Sequence, residues 1–153
     1  MNYKKFTLSL VLPQLAGIIG AFFTTSAIPI WYANLIKPSF TPPSWLFGPV
    51  WVMLYFLMGI SIYLIWNEAP QNKKIIQLFW VQLVINMIWT PLFFGLRNPL
   101  LGLITIILLW ILIVILIIKF WKINKTSSYL LIPYLIWVSY ASALNFAIFY
   151  LNR

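Results

Sequence analysis

The stretch PSFTPPSWLFGPVWVMLYFLMG, residues 38–59, runs from a proline-rich loop directly into an apolar helix. Proline fixes its own backbone torsion, lacks an N–H donor and restricts the residue before it. Three prolines before residue 44 therefore predict that this segment is a stiff, non-helical loop. After it, large side chains recur at i, i+4, i+7 and i+11, which is the spacing of one helix face: Trp51, Tyr55, Met58 and Ile62. A stiff loop joined to an aromatic helix face predicts a ligand pocket with the loop as its lid.

Composition places the chain in a membrane. Of its 153 residues, 63% are hydrophobic and only 7% are charged, too few to build the polar surface of a soluble domain. Cysteine and histidine are absent, and Glu68 is the only acidic residue. Metal sites, resident cofactors held by such residues, and acid–base or thiol catalysis are therefore not expected.

Five apolar runs each approach the roughly 20 residues that cross a ~30 Å hydrocarbon core. They predict an all-α polytopic membrane protein, a five-transmembrane-helix bundle forming a single domain over residues 1–153. The predicted helices span about 6–28, 44–66, 75–96, 99–121 and 129–151. Short linkers predict that successive helices are antiparallel neighbours.

The basic residues predict the orientation in the membrane. Seven lysines fall at the end of the bundle that carries the N-terminus, and three cations, Lys37, Arg97 and Arg153, fall at the other end. The positive-inside rule then places the N-terminus in the cytoplasm and the proline-rich loop outside. Because the net charge of +9 is distributed between apolar runs, lipid headgroups are the expected anionic partner and nucleic acid is not.

Helix one carries small residues at spacings that allow close helix approach: Ala16, Gly17, Gly20, Ala21 and Thr24. Packing within the bundle is favoured here over a dimer contact. In helix three, Pro91 is expected to kink the helix near its outer end.

Two further helix faces are expected to meet the first. Helix three carries Gln82, Asn86, Trp89 and Phe93, and helix five carries Tyr134, Trp137, Ala141 and Asn145. A rise of ~1.5 Å per residue puts most of these side chains roughly 10 to 20 Å below the outer helix ends. They are therefore predicted to converge in the outer half of the bundle, beneath the loop. Whether Asn86 and Asn145 hold helices together or contact a ligand is left open, since buried amides do both.

A pocket walled by flat aromatic rings with a few amides suits a large, planar, apolar ligand with a polar edge. An ion channel or a proton-coupled transporter is disfavoured, because no charged residue lies on a predicted pathway. The tryptophans near the membrane boundaries are interpreted as interfacial belt residues: Trp31, Trp45, Trp66 and Trp121.

Three segments resemble the translocator protein family: WYANLIKPSFTPPSWLFGPVWVMLYFLMG (31–59), NMIWTPLFFGL (86–96) and PYLIWVSYASALN (133–145). Bacterial members of this family are called tryptophan-rich sensory proteins, and animal members the peripheral-type benzodiazepine receptor. The resemblance covers essentially the whole chain, and the KPxxxPPxWxFGPVW block is its most specific part. It implies a usually dimeric five-helix bundle in a bacterial cell membrane. The implied ligands are porphyrins such as protoporphyrin IX, sterols and benzodiazepine-site drugs.

The predicted ligand-binding residues combine spacing with this resemblance: Tyr32, Pro42, Phe47, Trp51, Tyr55, Asn86, Trp89, Phe93, Trp137, Ala141, Leu144 and Asn145. For Tyr32 and Pro42 the choice between touching ligand and shaping the loop stays open. Sterol is doubtful as a natural ligand, since the positions of the tyrosine and the basic residue in the animal family's cholesterol motif hold Phe146 and Tyr150.

Three functions follow from this pattern. The leading one is a membrane receptor or sensor for tetrapyrroles, linked by the resemblance to oxidative-stress responses. The second is an enzyme that breaks down porphyrin in light, with Trp51 and Trp137 in a photochemical role. The third is a tetrapyrrole or sterol transporter or chaperone without chemistry.

Overall fold

The computed structural model describes residues 3–153, and five long helices dominate this range. Each is long and apolar enough to cross a membrane. They are α1 (Tyr3–Ala27), α2 (Ser44–Glu68), α3 (Lys73–Thr90), α4 (Pro99–Trp121) and α5 (Lys125–Leu151), the last interrupted at Leu131. The prediction of an all-α bundle of five transmembrane helices is thereby confirmed.

Asparagine caps explain where several helices begin. Asn98 accepts hydrogen bonds from the N–H groups of Leu100 and Leu101, both at 3.1 Å, at the start of α4. Asn124 accepts one from Ser127 N–H at 2.7 Å, so α5 begins at Lys125, four residues before the predicted position. Such caps satisfy the donors left free in a first helical turn. Hydrophobicity alone locates the membrane core but not these polar turns.

The end of α3 differs from the expected proline kink. Residues Pro91–Gly95 form a π-helical turn that continues α3, closed by a 2.8 Å hydrogen bond from Leu96 N–H to Pro91 O. A π-turn takes up more residues per turn than an α-helix and so rotates the residues that follow it. After Thr90, the side chains therefore lie on a different helix face from the one that an unbroken α-helical period predicts.

The helices are arranged around the bundle in the order α2, α1, α3, α4, α5, with α5 returning to α2. The expectation that all successive helices are neighbours is wrong for α2 and α3, because α1 packs between them. Gly59 of α2 allows this close packing: a Cβ there would lie 2.6 Å from the backbone oxygen of Ser9. Only small residues permit backbones to approach so closely.

The half of the bundle that carries the chain's N-terminus is tightly filled. Its core contains fully buried apolar side chains from α2, α3 and α4, including Ile62, Phe79 and Ile113. Ser61 and Ser127 join α2 to α5 there, with their hydroxyls 2.9 Å apart.

The proline-rich loop is fastened to the opposite end. Lys37 donates to the backbone oxygens of Tyr32, Ala33 and Leu35 at 2.8 to 3.1 Å and closes the short 3₁₀ turn Tyr32–Asn34. Asn152, just past α5, exchanges two hydrogen bonds with the backbone of Ile36, at 3.0 and 2.9 Å. The loop is thus tied down along the α5 side of the bundle.

A candidate ligand-binding cavity

A cavity of about 430 Å³ lies beneath this loop, between α1, α2 and α3. Its size falls within the range of small-molecule sites, roughly 300–1,000 Å³. The lining is largely apolar and aromatic, with a few uncharged polar groups. It consists of Gln14, Gly17, Ile18, Gly20, Ala21, Thr24, Thr25, Ile28, Tyr32, Ser44, Trp45, Phe47, Gly48, Trp51, Val52, Tyr55, Asn86, Trp89, Thr90 and Phe94.

Small residues of α1 create the space. At Gly17 an added Cβ would lie 2.5 Å from the ring of Tyr55, and at Gly20 it would lie 3.1 Å from the hydroxyl of Thr90. These glycines let α2 and α3 side chains pack onto the α1 backbone. Ala21, which has a small side chain, leaves space in the neighbouring part of the cavity wall. The small residues thus serve packing within the bundle, as favoured from the sequence, and also shape the cavity.

Two tryptophans of the lining, Trp51 and Trp89, each stack on a neighbouring ring. Trp51 stacks on Tyr55 with ring centroids 5.4 Å apart and an interplanar angle of 28°. Trp89 stacks on Phe93 at 5.5 Å and 18°. Such pairs present broad, rigid ring surfaces that favour contact with another flat ring.

A chain of buried hydrogen bonds forms the inner end of the cavity. The hydroxyl of Tyr55 donates to Asn86 Oδ1 at 2.7 Å, and Asn86 Nδ2 donates to the hydroxyl of Tyr134, also at 2.7 Å. Tyr134 in turn donates to Gln82 Oε1 at 3.1 Å. Asn86 therefore links α2, α3 and α5 and also lines the cavity. The sequence left open whether Asn86 holds helices together or contacts a ligand. Its position in the structure is compatible with both roles.

Two buried donors near the loop have no partner among residues 3–153: the hydroxyl of Tyr32 and Nε1 of Trp137. An unsatisfied buried donor costs about 1–3 kcal/mol, so a ligand acceptor that reached either group would gain that amount. Burial, together with a smaller effect of the nearby Tyr140, raises the pKa of Tyr32 to about 12. Tyr32 is therefore a neutral donor throughout the physiological pH range.

The lining contains no charged side chain. Among residues 3–153 no three His, Cys, Asp or Glu side chains lie close enough together to hold a metal ion. The chemistry offered by the lining is ring stacking, apolar contact and neutral hydrogen bonding.

Six of the predicted site residues line the cavity: Tyr32, Phe47, Trp51, Tyr55, Asn86 and Trp89. Pro42 lies in the loop outside the lining. Four others belong to α5, which packs against α4 and α2 and does not border this space: Trp137, Ala141, Leu144 and Asn145. Their predicted contact with ligand stays a prediction.

Three of the predicted site residues outside the lining have clear packing partners. Phe93 meets α4, where a Cβ on Gly102 would lie 2.5 Å from its ring, and Phe94 takes the place at the cavity expected for Phe93. The π-helical turn accounts for this exchange of neighbours. Asn145 accepts from Trp89 Nε1 at 3.3 Å and donates to Pro99 O at 2.9 Å, so its amide already joins three helices. Trp137 lies against Phe47, with ring centroids 5.9 Å apart, and is thus one ring removed from the cavity.

The sequence reasoning missed the α1 wall and the mouth of the cavity. Gln14, Thr24 and Thr25 carried a weak signal, since they are among the polar residues of a mostly apolar helix. Trp45, interpreted as a belt residue, lines the cavity and is 72% exposed. The other strongly exposed large apolar side chains of the lining are Ile18 of α1 and Val52 of α2. The cavity therefore opens sideways on the face formed by α1 and α2, opposite the side where the loop is fastened.

Comparison with known proteins agrees with this architecture. Residues 9–151 match the model of the TspO/MBR family. The chain is 46% identical to the tryptophan-rich protein TspO of Archaeoglobus fulgidus over 153 residues, covering 99% of each chain. It is 34% identical to the human translocator protein over 140 residues, with 89% of this chain and 83% of that protein covered. It is also 33% identical to the tryptophan-rich sensory protein of Cereibacter sphaeroides over 136 residues, covering 87% and 85%. The chain is an integral membrane protein that belongs to the TspO/MBR family.

Proposed function

We propose that this protein is a membrane receptor that binds a planar tetrapyrrole, such as protoporphyrin IX, or a benzodiazepine-site drug in the cavity beneath the loop. One observation carries the proposal: a preformed, uncharged cavity of about 430 Å³ lined by Trp51, Tyr55 and Trp89. Flat aromatic walls suit a flat conjugated ligand, and the lateral mouth admits molecules already dissolved in the bilayer.

The polar groups of the cavity suit a ligand with a polar edge. Near the loop, Tyr32 provides a hydroxyl that has no partner among the described residues 3–153. At the inner end, Asn86 and Tyr55 provide a hydrogen-bonded pair. Since no cation lines the cavity, the carboxylates of a porphyrin are expected to stay at the open side.

Binding is tested by quenching of tryptophan fluorescence with protoporphyrin IX, titrated in detergent in the dark. Saturable quenching whose half-saturation concentration rises about tenfold in Trp51→Phe supports the proposal. Trp110→Phe is the matched control, since Trp110 bonds Ser139 on the far side of the bundle. Linear quenching, or equal effects of the two substitutions, would contradict binding in this cavity.

Light-dependent oxidative breakdown of bound porphyrin is a second proposed activity, supported by the position of Trp51. An indole in the cavity wall would donate one electron to the light-excited macrocycle, which would pass it to dioxygen to form superoxide. The indole radical cation would then take one electron back from the macrocycle, and the macrocycle radical cation would combine with the superoxide, so that the porphyrin is oxidised and the indole is restored. The stacked Tyr55 and the rigid wall would hold the ring in one orientation. Trp137, behind Phe47, would act over a longer distance.

A transporter or chaperone for tetrapyrroles or sterols is the alternative. The filled half of the bundle, where Met58, Ile62 and Phe79 are fully buried, favours a receptor over a through-passage. Alternating access would require this core to separate.

The proposed setting is a bacterial cell membrane with the N-terminus in the cytoplasm, supported by the seven lysines at that end. A homodimer is proposed as well. The exposed Ile19 and Phe22, which do not line the cavity, leave part of α1 available for contact with a second copy.

A further inference from the structure

A second concave surface lies at the loop end of the bundle, outside the ligand cavity. This groove, of about 590 Å³, runs between the end of α1 and the π-helical turn after α3. Its walls are mostly apolar, and one cation, Arg97, stands at its edge. It is lined by Phe23, Ser26, Ala27, Ile30, Pro91, Leu92, Phe94, Gly95, Leu96 and Arg97. Of these only Phe94 also lines the ligand cavity, so its ring separates the two spaces.

Arg97 has an unusual backbone. Its φ is +53°, the only positive value at a non-glycine residue among residues 3–153. Glycine or asparagine normally follows a helix end in this conformation, because a side chain there is disfavoured sterically. An arginine at such a position points to a role for its side chain.

Arg97 also differs from the other cations at this end of the bundle. Lys37 donates to three backbone oxygens of the loop, and Arg153 lies over the ring of Tyr150 at 4.1 Å. The side chain of Arg97 has no hydrogen bond or ion pair to any residue in 3–153 and is exposed. Its guanidinium is therefore available to an external anion.

We propose that this groove binds an anionic phospholipid of the leaflet on the loop side. The guanidinium of Arg97 pairs with the headgroup phosphate, and an acyl chain lies along Phe23, Ile30 and Leu92. Arg97 follows the last turn of a membrane-spanning helix, where headgroups meet hydrocarbon. Guanidinium groups bind phosphate through two parallel hydrogen bonds, and this pairing strengthens away from bulk water.

The groove suits a lipid better than a free anion. Apart from Arg97 the only polar side chain in its walls is Ser26, whose hydroxyl is already bonded to the backbone oxygens of Phe22 and Phe23 at 3.3 and 3.1 Å. A free phosphate ion would find one partner and an apolar surface. A phospholipid matches both the cation and the apolar walls.

The test is native mass spectrometry of the full-length protein in detergent, titrated with phosphatidylglycerol or phosphatidylcholine of equal chain length. Both lipids carry the phosphate, but the choline cation of phosphatidylcholine offsets its charge, so the proposal predicts about tenfold tighter binding of phosphatidylglycerol to the native protein. Arg97→Gln should abolish this preference. Arg153→Gln removes the same charge at the same end of the bundle and should keep it.

Two further variants test the apolar groove and the cation separately. Ser26→Phe fills the groove without changing charge and should weaken both lipids. Arg97→Gly relieves the left-handed strain and removes the cation, so it should fold well and lose the preference. Equal behaviour of Arg97→Gln and Arg153→Gln, or displacement of phosphatidylglycerol by an equimolar amount of inorganic phosphate, would overturn the proposal.

Discussion

The hydroxyl of Tyr55 lies 2.7 Å from Oδ1 of Asn86, which joins α2 to α3 across the interior of the bundle. The other end of the same amide donates to the hydroxyl of Tyr134 on α5. These helices are not all neighbours around the bundle, since α1 separates α2 from α3. One amide therefore fixes the relative positions of three helices at the inner end of the ligand cavity.

Replacing this amide should cost stability. Asn86→Ala leaves the buried hydroxyls of Tyr55 and Tyr134 without this partner and should lower the free energy of unfolding by about 1–3 kcal/mol. Thermal unfolding in detergent, followed by circular dichroism, measures the change. Asn67→Ala, at the exposed end of α2, is the control and should behave like the native protein. An Asn86→Ala variant as stable as this control would show that the network contributes nothing.

Filling the space at Gly17 should damage both fold and site. A Cβ there would lie 2.5 Å from Tyr55, whose ring is held by Asn86 and by stacking on Trp51. Gly17→Ala should therefore destabilise the protein by about 1–3 kcal/mol and weaken ligand binding.

The matched control for this substitution is Gly48→Ala. Gly48 also lines the cavity, but a Cβ there would meet no atom within 4 Å. This change should be neutral or stabilise α2 by up to about 1 kcal/mol. Equal melting temperatures for the two variants would contradict the close packing of α1 on Tyr55.

Tyr32 should make the protein sensitive to alkali. Its pKa is raised to about 12 because burial favours the neutral phenol, whereas an unfolded chain has the ordinary value near 10. The stability gained by keeping the phenol neutral is full below about pH 10 and is lost as pH rises towards 12. Melting temperatures measured between pH 7 and 11 should fall more steeply at the alkaline end for the native protein than for Tyr32→Phe. Parallel curves would mean that Tyr32 is not buried in the folded protein.

The two candidate photochemical tryptophans should differ in their effect on the light-dependent loss of porphyrin. Trp51 lines the cavity, while Trp137 lies behind Phe47. Trp51→Phe should therefore slow the light-dependent loss of bound protoporphyrin more than Trp137→Phe does, as followed by absorbance in air. Product in excess of one equivalent per protein would distinguish turnover from bleaching. An unchanged rate in the double variant would exclude both indoles from this chemistry.

The sequence predicted that several aromatic and amide side chains converge beneath the loop, and part of that set does so. Helical spacing brings Trp51 above Tyr55, and Asn86 one turn below Trp89, and these four residues line one cavity. Spacing along a helix gives the depth of each side chain and shows which side chains share a face. No other information was needed to group these four residues.

The remaining site residues depended on information that spacing does not carry. The predicted depth placed Trp137 near the other site residues. In the structure, however, the order of the helices around the bundle places α5 against α4 and α2. The π-helical turn exchanged Phe93 for Phe94, and a single extra residue in one turn leaves no clear periodic signal. The α1 wall, which includes Gln14, was missed because Gly17 and Gly20 shape it by having no side chain. In the sequence such glycines cannot be told from the small residues of ordinary helix packing.

The location of the ligand can be measured most directly with two single-cysteine variants, since the native chain contains no cysteine. Thr25 and Ser26 are adjacent and exposed on α1, but Thr25 lines the ligand cavity and Ser26 lines the groove beside Arg97. The rate of labelling by a membrane-permeant thiol reagent would be compared for Thr25→Cys and Ser26→Cys, with and without protoporphyrin IX in the dark. Binding in the cavity predicts strong protection of Thr25→Cys and an unchanged rate for Ser26→Cys. Equal protection of both, or protection of Ser26→Cys alone, would contradict the proposed site.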